Sequence, residues 1–213
     1  MSIEKGDFML PETKISVDSL RCELEDLIGV DWGSVWAGPP QGGSEEFRDW
    51  CDRYGWRSLT VEGDPEIVTR HGNNLEFRTR GFWSPVVSVD ASLWRVHTAS
   101  PEEKGQVIPV GVRPWEEYLG MISDVLGEPT DVGSLEDGSF PVPPNEKWWR
   151  VPEYPPKGGN YRVAYWGSFG GRPQGPITVL TQSVSMYTWQ AEGGGGSGIF
   201  LSLKSPSLGE MNG

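Results

Sequence analysis

The chain has 213 residues, a net charge of −12 and a hydrophobic fraction of only 36%, offset by 11 Trp that can each bury a large area. At this length a chain hides roughly 70% of its unfolded surface and needs neither disulfide nor metal to fold, so Cys22 and Cys51 read as isolated, buried thiols. The acidic balance argues against direct binding to nucleic acid or anionic membrane, and no stretch approaches the ~18–20 apolar residues of a membrane span.

Residues 1–15 show no periodicity and read as a loose arm without a cationic leader, which makes the cytoplasm the expected location. A helix is predicted from Ser16 to Gly29. Val17, Leu20, Leu24, Leu27 and Ile28 share one face, Ser16 can cap, and Gly29 can stop it. Asp31-Trp32-Gly33-Ser34-Val35-Trp36 and the Gly/Pro stretch through Gly43 read as loop. A second helix is predicted from Ser44 to Tyr54, with Phe47, Trp50, Cys51 and Tyr54 as its apolar stripe and Gly55 as its stop. Glu45 and Glu46 complement its positive end, and Glu46, Asp49 and Asp52 give it an acidic outer face. The acid is concentrated in this region: residues 1–65 carry 14 acidic and 6 basic side chains, whereas residues 66–110 carry 5 of each.

Beyond Gly55 the period changes to two. Leu59 with Val61, then Ile67–Thr69, then Leu75, Phe77 and Thr79 predict strands, the last two joined by a turn at residues 70–74. Val86–Asp90 and Leu93–Thr98 predict either a second hairpin or one bent strand, and residues 101–105 a polar loop. A third helix is predicted from Pro114 to Gly127 on the stripe Trp115, Tyr118, Leu119, Ile122, Val125 and Leu126. Residues 128–160 are Pro-, Gly- and acid-rich and read as a long loop carrying Trp148 and Trp149. Strands return at Tyr161–Tyr165, Ile177–Gln190 and Ile199–Leu203, with Gly193–Gly198 as a flexible connection and a frayed tail from Ser205 to Gly213.

The expected fold is therefore α+β, one domain over residues 16–204, with mostly antiparallel sheet and about three helices. The segments beginning Glu45-Glu46-Phe47 and Glu116-Glu117-Tyr118 echo each other in an acidic pair, an aromatic and a terminal Gly. This suggests two helix-plus-meander halves, residues 16–105 and 111–204, sharing one sheet.

No motif carries chemistry. The glycine run lacks the Lys-Ser/Thr and helix start of a phosphate loop. His71 and His97 are the only imidazoles and belong to no metal or nucleophile pattern. Paired carboxylates next to tryptophans, Asp31 with Trp32 and Trp36 or Glu146 with Trp148 and Trp149, could serve a glycosidase, but carboxylates here are too many to single out a pair. No catalytic residue, cofactor or metal is expected. Trp50, Trp94, Trp115, Trp166 and Trp189 lie on apolar stripes or strands and read as core. Trp32, Trp36, Trp83, Trp148 and Trp149 sit among Gly and Pro, where an aromatic can plug a sheet edge or anchor a partner.

In the segments Glu45–Trp56, Trp115–Pro129 and Tyr161–Gly167, the layout resembles immunity proteins of bacterial polymorphic toxin systems. That resemblance implies a stoichiometric inhibitor without chemistry of its own, and it carries no site residues over. The residues agree with it: acid and aromatic anchors would complement a basic toxin domain. The expected contact residues are Asp31, Trp32, Trp36, Glu45, Glu46, Asp49 and Asp52, with Trp148 and Trp149. A sugar- or small-ligand-binding module, an enzyme with an unrecognised site and a structural subunit of a phage or secretion assembly are the alternatives.

Overall fold

The computed structural model describes residues 13–59, 65–98, 101–137, 140–142, 158–171, 175–185 and 195–206. The first helix, α1 (Val17–Ile28), begins where Ser16 accepts the Ser19 N–H at 3.1 Å and turns off at Gly29. α3 (Glu45–Arg53) is capped the same way by Ser44, which accepts the Phe47 N–H, and ends before Gly55 in a left-handed conformation at φ 68°. Between them lies a short helix, α2 (Trp32–Ala37), in the stretch expected to be loop. Its start is fixed by Asp31, whose carboxylate accepts the Ser34 N–H at 3.3 Å. A four-residue helix, α4 (Val107–Val110), leads into α5 (Val112–Leu126), which starts two residues before the expected Pro114. Residues 101–106, expected as loop, form a 3-10 turn.

The strands are β1 (Thr13–Lys14), β2 (Arg57–Ser58), β3 (Glu66–Val68), β4 (Asn74–Thr79), β5 (Val86–His97), β6 (Asp131–Ser134), β7 (Gly158–Trp166), β8 (Ile177–Ser185) and β9 (Gly196–Lys204). All join one antiparallel sheet in the order β2-β3-β4-β5-β9-β8-β7-β6, with β1 on β5 beyond the end of β4. Two four-stranded meanders, β2–β5 after α3 and β6–β9 after α5, thus meet through their last strands, from Ser88 opposite Lys204 to His97 opposite Gly196.

Several expectations change in detail. Of the two alternatives left for residues 86–98, the structure has the one bent strand, β5 (Val86–His97). A bulge at Leu93 breaks the register between Ser92 and Trp94, so that Leu93 and Trp94 both face the core. Residues 13–14 of the expected loose arm pair with Arg95 and Trp94, and the Ile15 N–H donates to Leu93 C=O. β6 interrupts the expected loop 128–160. Leu59 lies outside β2 and is exposed, and Val61 falls outside the described residues. β9 starts inside the glycine run. Cβ atoms added at Gly196 and Gly198 would stand 2.7 Å from the rings of His97 and Phe200, so these glycines admit close side-chain packing rather than supplying slack. Cys22 is exposed on α1, while Cys51 is buried.

The helices cover one sheet face. Leu24, Phe47, Trp50, Trp115 and Ile122 pack there on Phe77, Leu93, Leu180 and Leu201. On the opposite face β4, β5 and β9 present polar side chains along a groove, whereas Val163, Ile177 and Val179 of β7 and β8 form a small buried apolar cluster against which Phe140 and Tyr165 pack. Among the described residues no helix is long and apolar enough to cross a membrane.

Candidate functional site

The outer face of α3 presents a dense row of charged side chains to solvent. Its stripe buries Phe47, Trp50 and Cys51, which leaves Glu45, Glu46, Asp49 and Asp52 exposed with Arg48 and Arg53 between them. None of these four carboxylates has an ion pair or a side-chain hydrogen bond within the described residues. Asp31 lies close by. It caps α2 through the Ser34 N–H, while the Ser34 hydroxyl accepts the Trp50 indole N–H from α3 at 3.3 Å.

Trp32 and Trp36, expected to anchor a partner from this surface, do not reach it. They are 3% and 9% exposed, stacked with ring centroids 4.9 Å apart, and Trp32 meets the Phe169 ring edge-on at 5.9 Å. The reason is α2 itself: a helical turn swings positions 32 and 36 inward, and the Trp32 indole N–H donates to Leu27 C=O at 3.0 Å. Trp83 is also interior, set edge-on against Phe47 at 5.1 Å. Trp148 and Trp149 lie outside the described residues. The exposed aromatic that the sequence did not single out is Phe82, 80% exposed at the tip between β4 and β5. Nothing local distinguishes it from Trp83, its buried neighbour.

The acidic surface continues into a groove of about 490 Å³ between α1, the end of α3 and the β3–β4 turn, where Glu25, Asp52 and Arg53 lie with Tyr54 and Trp56. Its floor is a compensated network. Glu23, 2% exposed, accepts from the Thr69 hydroxyl and from Asn73 Nδ2 at 3.0 Å. Burial pushes its carboxyl above the ordinary range, opposed by those two hydrogen bonds. Asp26 pairs with Arg70 and with His71 Nε2 at 2.6 Å, and the Arg70 hydrogen bond holds its carboxyl below the usual range.

A second groove, of about 690 Å³, runs over the sheet face opposite the helices. Its charges largely answer one another: Arg78 reaches Glu76 at 2.6 Å and Asp90 at 3.6 Å, and the Arg95 guanidinium lies 5.6 Å from the centroid of Phe200.

Chemistry of other kinds finds little support in the geometry. Burial pushes the Cys51 thiol up to about 11, the reverse of an activated nucleophile. His71 is engaged by Asp26. Among the described residues no group of three or more His, Cys, Asp or Glu is placed to hold a metal ion. Comparison of the chain with protein-family models, curated proteins and solved structures returns no match.

Proposed function

We propose that the chain is a non-catalytic binding protein that neutralises a basic protein partner, in the manner of the bacterial toxin-immunity proteins that its sequence resembles. The observation that supports this reading is the set of four exposed carboxylates without an ion pair on the nine-residue helix α3, which outnumber the Arg48 and Arg53 beside them. Like charges held close on one helix repel, and a chain that needed only solubility could spread them. Concentrated, they give a local negative field that speeds encounter with a basic surface and repels acidic ones. The partner would be the basic domain of a toxin, bound stoichiometrically in the cytoplasm.

The test is a tagged pull-down from the source cells at low and moderate salt, with retained proteins identified by mass spectrometry. One basic protein, held near stoichiometrically and released as salt rises, is the expected result. Reversing Glu46, Asp49 and Asp52 to Lys should then slow association with that purified protein by about tenfold at low salt. If no protein is retained at either salt, the inhibitor reading fails, and a small-ligand-binding module or an enzyme with an unrecognised site takes its place.

A further inference from the structure

We infer that the sheet face opposite the helices carries a binding site for a small polyhydroxylated oxyanion, a sugar acid or sugar phosphate, whose anionic group is seated on Arg95. The groove lies on the side of the sheet away from α3. The site therefore goes beyond the reading of the chain as a binder of a basic protein and does not depend on it.

The register of the strands builds the site. Arg95 on β5 stands opposite Gly198 on β9, Gly198 opposite Ser183 on β8, and Ser183 opposite Asn160 on β7. With neighbouring strands about 4.8 Å apart, this row spans about 14 Å across the groove. Gly198 leaves the gap that the Phe200 ring fills: a Cβ there would stand 2.7 Å from Cε2 and Cζ of that ring. The ring in turn carries the Arg95 guanidinium, 5.6 Å from its centroid. A guanidinium held on a ring keeps its planar fork of N–H donors for a carboxylate or phosphate. Arg95 has no ion pair among the described residues, although the molecule carries a net charge of −12.

The hydroxyls beside the ring point to the rest of the ligand. In the next row Phe200 stands opposite Ser92 on one side and Thr181 on the other. Thr181 is 9% exposed, lines the groove and makes no side-chain hydrogen bond among the described residues. The Ser92 hydroxyl is shut from solvent without a partner. Buried hydroxyls left unpaired are few in folded proteins and cost stability, so two of them flanking one ring are accounted for by a group that arrives from outside. At the far end Asn160 Oδ1 accepts from the Ser183 hydroxyl at 2.6 Å, which leaves Nδ2 for a ligand oxygen. This half of the groove is a cation and a set of donors without a carboxylate. In the half towards β4, Arg78 is met by Glu76 and Asp90, and Asp90 also accepts from Ser88. The contrast orients the ligand, with its charge on Arg95 and its hydroxyls towards Asn160. A volume of about 690 Å³ suits a small molecule.

The experiment titrates the full chain with glucuronate, glucose 6-phosphate, glucose and inorganic phosphate at fixed ionic strength, following backbone amide and Arg Nε–H signals by NMR. The variants are Arg95→Gln, Arg95→Lys and Thr181→Val. The expected result is saturable shifts at Arg95, Thr181 and Ser183 with glucuronate or glucose 6-phosphate, and whichever binds names the source of the oxyanion. Glucose and inorganic phosphate should each bind at least about tenfold more weakly, because each lacks half of the contacts. Arg95→Gln should weaken binding by more than about tenfold, with Arg95→Lys in between. Thr181→Val should weaken it about threefold while the melting temperature holds or rises, since the isosteric methyl removes a hydroxyl that the fold does not use. No residue-specific shift with either sugar anion at about 10 mM, ten times the dissociation constant of a weak millimolar site, overturns the inference. So does binding that Arg95→Gln leaves intact, or that glucose or inorganic phosphate matches. None of these outcomes bears on the α3 surface.

Discussion

The two helix-plus-meander units share a topology and handle charge differently. In the second, α5 neutralises much of its own exposed acid: Glu117 accepts from Arg113 at 2.8 Å one turn away, and Asp124 pairs with Arg21 of α1 at 2.7 Å. In the first, α3 leaves four carboxylates without partners, and compensation lies underneath, in the Glu23 and Asp26 networks that tie α1 to the β3–β4 turn. Charge that serves the fold is matched within the fold. Charge left without an ion pair, four carboxylates on α3 against Glu116 on α5, is available to something outside the fold.

The close approach of Gly38 to the tip between β4 and β5 gives the sharpest way to break the first unit. Gly38→Ala would force a side chain onto a left-handed residue and against the backbone of Trp83 and Ser84. The expected cost is about 2–4 kcal/mol from strain and overpacking together, read as a lower denaturant midpoint at unchanged slope. Gly127 is the contrasting position. It ends α5 at φ 87° with open space around its Cβ direction, so Gly127→Ala carries only the conformational cost and should be clearly milder.

Glu23 sets the next effect. Glu23→Ala would strand Thr69 and Asn73 inside the first unit and should cost about 1–3 kcal/mol. Glu23→Gln keeps an oxygen to accept both bonds without the buried charge, and should match or exceed wild type at neutral pH. The pH dependence has a definite sign. A carboxyl whose folded value is raised holds its proton more tightly in the folded state. Its contribution is therefore most favourable below the ordinary glutamate range, and stability falls as pH rises from there through the raised value. Asp26, lowered mainly by Arg70, acts in the opposite sense: its stabilisation is present above the ordinary aspartate range and lost as pH falls through the lowered value. The difference between wild type and Glu23→Gln across this interval isolates Glu23. A difference that does not change with pH would remove burial as the cause.

Tyr118→Phe tests the second unit more gently. The hydroxyl, which burial pushes up to about 12, lies 2.6 Å from Ile15 C=O and 3.0 Å from Leu93 C=O, tying α5 to the chain leaving β1 and to the β5 bulge. Its loss should cost about 1 kcal/mol. Hydrogen exchange should quicken at the Ile15 amide, which donates to Leu93 C=O, and stay unchanged at the tip of the first unit.

How far the sequence reaches follows the same physical lines. Ser16, Ser44 and the stripes of α1, α3 and α5 were legible because caps and 3.6-residue periodicity are local. So was the antiparallel character of the sheet, from alternation at Leu75, Phe77 and Val163. The helix α2 was not, since six residues hold too little of a stripe to register; its signal lay in Asp31 as a cap. For β5 the alternation alone leaves a hairpin and one bent strand both open, because the Leu93 bulge shifts it by one. The acidic face of α3 was readable from the positions that avoid the stripe. The burial of its expected aromatic anchors was not, because Gly and Pro neighbours say nothing about what covers an indole. Trp32, Trp36 and Trp83 turned inward on tertiary contacts, and Phe82 faces out because Trp83 took the place against Phe47.

The smallest expected effect is the most discriminating for function. Glu116→Lys on α5 and Glu46→Lys on α3 change the net charge by the same amount, and both side chains are exposed. Each sits in the N-terminal half of a helix preceding one of the two meanders. If binding responds to the overall charge of the molecule, the two variants should slow capture of the basic partner alike. If the surface is the outer face of α3, Glu46→Lys should slow association several-fold at low salt and Glu116→Lys hardly at all, because screening confines the field of an exposed charge to about 10 Å at 0.1 M salt. Equal slowing at that ionic strength would assign recognition to the whole acidic molecule, and a larger loss for Glu116→Lys would move the contact to the second unit.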